Sequence, residues 1–514
     1  LILFRNETKP MHEQGPDLLN EPLLRSIGLD ELVPASLDRW RPLIIEGVLF
    51  MLRRLPRPRQ AAILDAQLQL PASATPGQRA VALLQQCPTL HKLGQVVARH
   101  RGIPAHVRRE LHLLESPPAT TPMPELLARV RRELPPDAPV TIAAQALAEG
   151  SVAVVIPFTW QERGQTAHGV FKVLKPGVEQ RLHEELEIWV EVADFLQQRG
   201  RELGLPALDY RDTLESIREL LANEVRLGVE QANLTAAART FANDARIRVP
   251  RLLPWCTERM TAMERIFGTT VVDARLLPGV RERLAESMVI GLLAGPFWSR
   301  DAEAMIHADP HAGNLIATGE GQLAVLDWSL TARLSKVQRE ALVDAAAGGF
   351  TLDAPRICRA VAALGSLAPG HPQLRAAVER ALQRVRQLTL PGFDWLVALL
   401  DDVASSTEAG FRHDLILFRK AWLTLRGVID DVAGGCPTDR MLFGAGLEHL
   451  IAEFPSRMLA PFDSRRFDSH LSSADLVGLW MSAAWLPARF WLGAGADAGR
   501  PDSTMSGKPG QARP

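Results

Sequence analysis

The chain has 514 residues, enough for roughly two to four domains with sizeable cores. A formal net charge of −1 with 46% hydrophobic residues describes a globular protein and gives no electrostatic case for nucleic acid as a partner. The four cysteines, Cys87, Cys256, Cys358 and Cys436, lack C-x-x-C spacing, which argues for a reducing compartment and against a zinc site or a disulfide framework.

The apolar opening Leu1–Phe4 is too short a run for a signal peptide, and Met11 reads as nearer the natural start. Residues 1–80 are rich in leucine and proline and predict helix in pieces. One piece runs over Leu43–Leu55, with Pro42 at its entry and Pro56 and Pro58 breaking it. Pro71–Pro76 is a loop by composition. Pro88 then opens another helix, with Leu90, Leu93 and Val97 on one face and Lys92, Gln95 and Arg99 on another. Gly94 inside that helix costs roughly 1 kcal/mol relative to alanine, which implies a close approach to its surface. Further helix is expected over Val107–Leu114 and Arg129–Leu134, with a linker over Pro117–Pro124.

Character changes near Thr141. Ala148-Glu149-Gly150-Ser151-Val152-Ala153 reads as a small-residue loop running into a strand. A turn over Gln161–Gly164 leads to a second strand from Gly169, stopped by Pro176-Gly177. On that strand Val170, Lys172 and Leu174 share one face, and a lysine between apolar neighbours needs an anionic partner. A hairpin lysine behind a small-residue loop is what kinase-like sites use to hold ATP phosphates. A helix over Glu179–Gln198 and a longer one over Leu214–Phe241 follow. Spacing alone leaves Glu187, Glu224 and Glu230 open as the lysine's partner. Val249–Trp255 and Thr257–Glu264 predict strands. Met263 and Glu264, ahead of Gly268, suit a connector between two lobes whose backbone groups bind adenine.

The chemistry is densest at His307-Ala308-Asp309-Pro310-His311-Ala312-Gly313-Asn314. Two short apolar strands follow, joined by Gly319-Glu320-Gly321, so the unit reads as a hairpin. A hairpin returns Asn314 and Asp327 to the same side, as two oxygen ligands for Mg²⁺. Asp309 on the preceding loop is then a base or orienting group. The D-x-x-x-x-N spacing with a strand-end aspartate points to phosphotransfer. Around it the pattern is helical: Val280–Leu293 before, then Gln338–Phe350, Ala354–Leu364, Leu374–Leu388 and Phe411–Val432. Leu476–Ala496 is about as long as a bilayer span. Pro487 and Arg489 lie inside it, however, and its three tryptophans suit an interfacial position. From Ala498 the composition predicts disorder.

Taken together, these landmarks resemble the atypical kinase family called UbiB, ADCK or AarF, over roughly residues 85–435. Lys92-Leu93-Gly94-Gln95 is similar to the family's K-x-G-Q signature. Ala148–Ala153 resembles its alanine-rich loop, and Lys172 matches its strand lysine. Glu224 and Glu230 match the glutamates of its E-x-D-x-x-x-E helix. His307–Asn314 resembles H-x-D-P-H-x-G-N, and Asp327 the aspartate of D-F-G. The sequence departs from the pattern at Arg226, Val154 and Trp328-Ser329, which stand where the family has aspartate, glutamine and Phe-Gly.

The resemblance implies an α+β, two-lobed protein-kinase-like fold with a small β-rich N-lobe, a larger helical C-lobe and an N-terminal helical extension. The expected divisions are 1–80, the K-x-G-Q extension 81–140, the N-lobe 141–268, the C-lobe 269–470 and the tail 471–514. It implies ATP and Mg²⁺ as cofactors, with Asp309, Lys172 and Glu224 catalytic and Glu224 pairing with Lys172. Ala148, Gly150, Ser151, Val152, Met263 and Glu264 would contact nucleotide, Asn314 and Asp327 the metal. A regulatory helix would carry Lys92, Gly94 and Gln95, with Glu230 as the second family glutamate. It further implies isoprenoid lipids or quinone-biosynthesis enzymes as partners, peripheral membrane contact, and a cytoplasmic location at the inner face of a membrane. Two alternatives are a pseudokinase acting as a lipid- or enzyme-binding chaperone, which Arg226 and Trp328-Ser329 favour, and a small-molecule phosphotransferase, which the Lys92 helix argues against.

Overall fold

The structure, a computed structural model, describes residues 35–92, 121–205, 210–273, 275–407 and 410–490, together with Ile27 and Val33. The expectations for Gly94, Gln95, Val107–Leu114 and everything beyond residue 490 lie outside the described residues. In chain order the strands are β1 (Val140–Ile142), β2 (Ala148–Glu149), β3 (Ala153–Glu162), β4 (Gln165–Leu174), β5 (Ile247–Arg248), β6 (Met260–Glu264), β7 (Gly268–Thr270), β8 (Glu303–His307), β9 (Leu315–Thr318), β10 (Leu323–Val325) and β11 (Thr331–Ser335). The chain divides into two compact units, Leu1–Thr235 with Pro250–Arg265, and Ala236–Val249 with Ile266–Pro514.

The first unit holds an antiparallel sheet in the order β1-β3-β4-β6, with β2 also paired to β3. Its spine is the β3–β4 hairpin, in register from Ala153↔Leu174 to Glu162↔Gln165. The two turn residues, Arg163 and Gly164, both have positive φ, the conformation whose twist matches that of the flanking strands. Val154, Ile156, Phe158, Phe171 and Val173 bury one face of the sheet against Leu126 and Val130 of the helix Met123–Glu133. Behind it, the helices Arg41–Arg54, Arg57–Leu68 and Pro76–Gln86 share a core with Ile188 and Val192 of Val178–Glu202. A capping box between Thr75 and Gln78 starts Pro76–Gln86.

Pro88 opens a helical turn over residues 88–92, as expected. Its first N–H, that of Thr89, is met by a fully buried carboxylate. Glu185 accepts from Thr89 N at 2.9 Å, Thr89 Oγ1 at 2.6 Å and Arg59 Nη2 at 2.5 Å. Burial raises the Glu185 pKa, and these donors oppose the rise.

Two expectations are corrected here. The single helix over Leu214–Phe241 is two helices, Tyr210–Glu224 and Leu227–Thr240, broken at Val225-Arg226. Asn223, Val225 and Gly228 are weak helix formers. The break is closed by short turns, with Arg226 N donating to Asn223 O and Val229 N to Arg226 O. Val249–Trp255 is not a strand apart from a lone bridge from Leu252 to Met263, because Pro250 and Pro254 remove ladder donors.

In the second unit β5-β10-β9-β7 form one sheet and β8 pairs with β11 in another. Pro278–Glu286 runs on as a π-helix over Ser287–Ala294. There Gly291 lets the chain pass close to β5, since a Cβ would stand 2.6 Å from Ile247 Cδ1 and would require that side chain to shift. After β11 come Lys336–Phe350, Ala354–Leu364, Pro372–Arg386 and His413–Val432, with two helices that the sequence reading passed over, Phe393–Ser406 and Thr438–Ala452.

His470 is fully buried in this unit, its Nε2–H donating 2.7 Å to Phe297 O. Burial drives its pKa from 6.5 down to about 4. The unfolded chain therefore takes up a proton that the native state refuses. The stability this histidine contributes is complete above about pH 6.5 and is lost as the pH falls towards 4, on the order of 3 kcal/mol in all. Urea unfolding at pH 7 and 4.5 should show His470→Gln losing less stability between the two pH values than the parent. An equal loss would assign the acid sensitivity to other groups.

Among the described residues no helix is long and apolar enough to cross a membrane. The tail forms the helix Ser473–Ala484, then turns at Trp485. The arginine inside the expected span is tied to protein, with Arg489 Nη1 donating to Thr351 O at 2.8 Å and to Ser482 Oγ at 2.9 Å. Trp480, Met481 and Trp485 are exposed.

Candidate functional site

In the first unit the chemistry collects around β4. Lys172 lies on that strand opposite Val155 and Thr261. Its Nζ is 2.7 Å from Glu230 Oε1, with the lysine side chain 13% and the glutamate 4% exposed. This corrects the expected Lys172–Glu224 pairing. Glu224 ends one helix and Glu230 lies in the first turn of the next. The break between them releases the two carboxylates from a common helical face, and Glu230 is the one that reaches the strand. There it also benefits from a helix N-terminus.

Glu224 is engaged elsewhere. Its Oε1 lies 2.8 Å from Lys92 Nζ, and Ser151 Oγ donates to its Oε2 at 3.5 Å. The helix of Lys92, the small-residue loop and the end of Tyr210–Glu224 thus meet at one carboxylate. The loop is tight: Gly150 N donates to Ala153 O at 2.7 Å, and Lys175 N to Val152 O at 2.8 Å. Ala148 and Glu149 are β2 residues. Glu149 is buried and pairs with Lys175 at 2.7 Å, and burial lowers the pKa of that lysine.

Met263 and Glu264, expected as a connector, are the last residues of β6, paired with Val170 and Gly169. Glu264 N donates to Arg251 O at 2.8 Å, so that N–H is committed within the unit.

In the second unit the expected hairpin is present. Leu315 pairs with Val325 at its open end, the tip turns at Gly321 with positive φ, and Leu326 N donates to Asn314 O at 2.9 Å. Asn314 and Asp327 therefore flank one pair of strand ends. Asn314 Nδ2 donates to Asp309 O at 3.2 Å, which turns the amide oxygen to the opposite side. Ser329 N donates to Asp327 Oδ1 at 2.8 Å.

His307 joins these pieces. Asp309 N donates to its Nδ1 at 3.2 Å, which leaves the ring proton on Nε2, donated to Asp327 O. Burial lowers the His307 pKa and keeps the ring neutral, as this arrangement needs. Trp328 is fully buried behind it, its indole N–H on Val325 O at 3.1 Å and its ring edge-on to His307 at 4.8 Å. The residue that replaces the family's phenylalanine is thus part of the core. Ser329 has no positive φ, so its position does not call for glycine.

Two features escaped the sequence reading. One is His307 as a bracket between two backbone segments, signalled only by its place two residues before Asp309. The other is Lys420, whose Nζ stands 3.1 Å from Asp309 Oδ1. Its signal was faint: it directly precedes Ala421, one of the buried positions of its helix.

An amide oxygen and a carboxylate, held by backbone bonds at adjoining strand ends, form a hard-oxygen donor pair that fits Mg²⁺ completed by water or phosphate. Among the described residues no group of three or more histidine, cysteine or acidic side chains could hold a metal ion by itself.

The profile of the ABC1 atypical kinase-like domain matches residues 141–361. Curated relatives include probable protein kinase UbiB of Shewanella piezotolerans, 26% identical over 57% of this chain and 51% of that protein. The Shewanella loihica protein of the same name is 24% identical over 78% of this chain and 72% of its own length. That of Klebsiella pneumoniae is 25% identical over 78% and 73%. The alignment to the first thus spans about half of that relative's length. Among solved structures, Rv3197 of Mycobacterium tuberculosis in complex with erythromycin is similar, at 15% identity and a TM-score of 0.43, over 82% of this chain and 95% of that one. The α+β architecture, with its strand-rich N-terminal sheet and its helical C-terminal region, is kinase-like. Residues 141–361 thus match an ABC1 atypical kinase-like domain, and the chain is similar to proteins of the UbiB/ADCK/AarF family.

Proposed function

We propose that this protein binds ATP with Mg²⁺ and acts as an atypical kinase or ATPase that supports ubiquinone or other isoprenoid-lipid metabolism. The observation that carries the reading is the bracket in the second unit, where His307, the Leu326–Asn314 bond and Ser329 N–H fix Asp309, Asn314 and Asp327 together. In this reading Asn314 Oδ1 and the Asp327 carboxylate hold Mg²⁺, which supplies charge neutralisation to the transferring phosphoryl group. An acceptor hydroxyl or water attacks the γ-phosphorus and passes its proton to Asp309. The bond to the bridging oxygen breaks, and its electron pair leaves with ADP. Lys172, oriented by Glu230, neutralises α/β-phosphate charge, and Gly150–Val152 contact nucleotide. The Lys92–Glu224 pair supports a role for the Lys92 helix in restricting access at the small-residue loop. The exposed Trp480, Met481 and Trp485 support peripheral contact with a membrane surface, the place where an isoprenoid lipid would be met.

Thermal melting with ATP and Mg²⁺ tests this. Nucleotide at a hundred times Kd should stabilise the protein by about 2.7 kcal/mol, and Asp327→Ala should abolish the magnesium dependence of the shift. A folded sample that shows no shift at millimolar nucleotide would overturn the reading. A second reading, a chaperone pseudokinase, draws on Arg226, which occupies the break between the helices in place of the family's aspartate. Complementation of a quinone-deficient strain by Asp309→Asn would favour it.

A further inference from the structure

Lys420 belongs to none of the short motifs quoted above, yet it pairs with Asp309 of the His307–Asn314 stretch. Lys420 sits on His413–Val432, whose Leu417, Phe418, Ala421 and Trp422 are buried. Trp422 Nε1 donates to Asp394 Oδ1 at 2.7 Å, which fixes the rotation of this helix. Its first turn is pinned to β11, where Arg333 N donates to Asp414 Oδ1 at 3.0 Å. β11 pairs with β8, and β8 ends at His307, two residues before Asp309. The scaffold that carries the lysine and the one that carries the aspartate are therefore continuous. The adjacent cation, Arg419, is taken up by Asp401, so the two basic residues of this turn have separate tasks.

The backbone of Asp309 is held by His307 Nδ1 and Asn314 Nδ2. Those bonds act on the backbone, whereas the ammonium 3.1 Å from Oδ1 acts on the carboxylate itself. A carboxylate that must work beside phosphate oxygens also meets like-charge repulsion, which a neighbouring ammonium offsets.

We propose that Lys420 is a positioning residue for phosphoryl transfer, orienting the Asp309 carboxylate towards the attacking hydroxyl and offsetting its repulsion by the phosphates. The role rests on the reading of Asp309 as the base.

The test is steady-state ATP hydrolysis by the full chain with Lys420→Met, Lys420→Arg, Asp309→Asn and the Lys420→Met/Asp309→Asn double variant. Lys420→Met should lower kcat roughly tenfold to a hundredfold while KM for ATP stays within about threefold. Lys420→Arg should recover most of kcat, and the double variant should be no slower than Asp309→Asn alone. Melting temperatures within about 2 °C of the parent would show that the fold is kept. An active parent with an equally active Lys420→Met overturns the role of Lys420 and leaves the kinase reading standing. So does a loss confined to KM, or a double variant slower than Asp309→Asn. A parent that neither binds nor hydrolyses ATP overturns the kinase reading, and this role with it.

Discussion

Replacing Glu230 with alanine should destabilise the first unit by about 3–5 kcal/mol, whereas Glu224→Ala should cost about 1 kcal/mol or less. Both match glutamates of the family's motif, and the resemblance assigned the strand lysine to Glu224. The structure gives Lys172 to Glu230, and that pair is well shielded, at 13% and 4% exposure. Removing Glu230 takes this carboxylate from an ammonium that lies beside Val170 and Leu174, where resolvation is poor. The Lys92–Glu224 pair is wetter, at 29% and 17% exposure, and each partner can turn to water. Urea unfolding of both variants reads the difference. Lys172→Met/Glu230→Leu should recover most of the loss, because an apolar pair of similar volume removes the desolvation cost altogether. A Glu224→Ala variant that loses more than Glu230→Ala would return the lysine to Glu224 and sink the pairing described here.

Trp328→Ala should cost a further class of stability, about 3–5 kcal/mol, by opening a cavity under the second unit's hairpin. The indole is fully buried between His307 and Phe241, and its N–H satisfies Val325 O. The loss should spread to the site, since the imidazole that joins Asp309 and Asp327 packs on this ring. We expect Trp328→Ala to weaken any nucleotide-dependent melting shift as well as the resting stability. Ser329→Gly, which restores the family's small residue, should leave that shift unchanged, because the Ser329 N–H already holds Asp327 and no positive φ is required. A gain in nucleotide binding by Ser329→Gly would show instead that the serine side chain obstructs the site.

The contrast between these two sites separates what is written locally from what is not. The hairpin from Leu315 to Val325 was legible because alternating apolar residues, a Gly-Glu-Gly tip and a fixed spacing of Asp309, Asn314 and Asp327 lie within one short stretch. The same holds for β3–β4, whose turn chemistry sits in Arg163-Gly164, and for Pro88 as a helix start. Local signals of this kind also carried the family resemblance.

Partnerships across long separations were not legible. Which carboxylate meets Lys172 depends on a helix break at Val225-Arg226, where three weak helix formers meet tertiary packing that no periodicity encodes. Trp328 stood in the sequence as a departure from the family pattern, and only the packed core shows it as the support of His307. Lys420 drew no reading at all, because a sequence does not say which flank of a late helix lies against Asp309. The sequence by itself determined, through spacing and turn propensity, the two hairpins and the candidate residues Asp309, Asn314 and Asp327, while its motifs carried the kinase-like resemblance. Only the tertiary structure decided the ion pairs, since charge partners are chosen by where helices end and pack, and burial sets how strongly each choice is enforced.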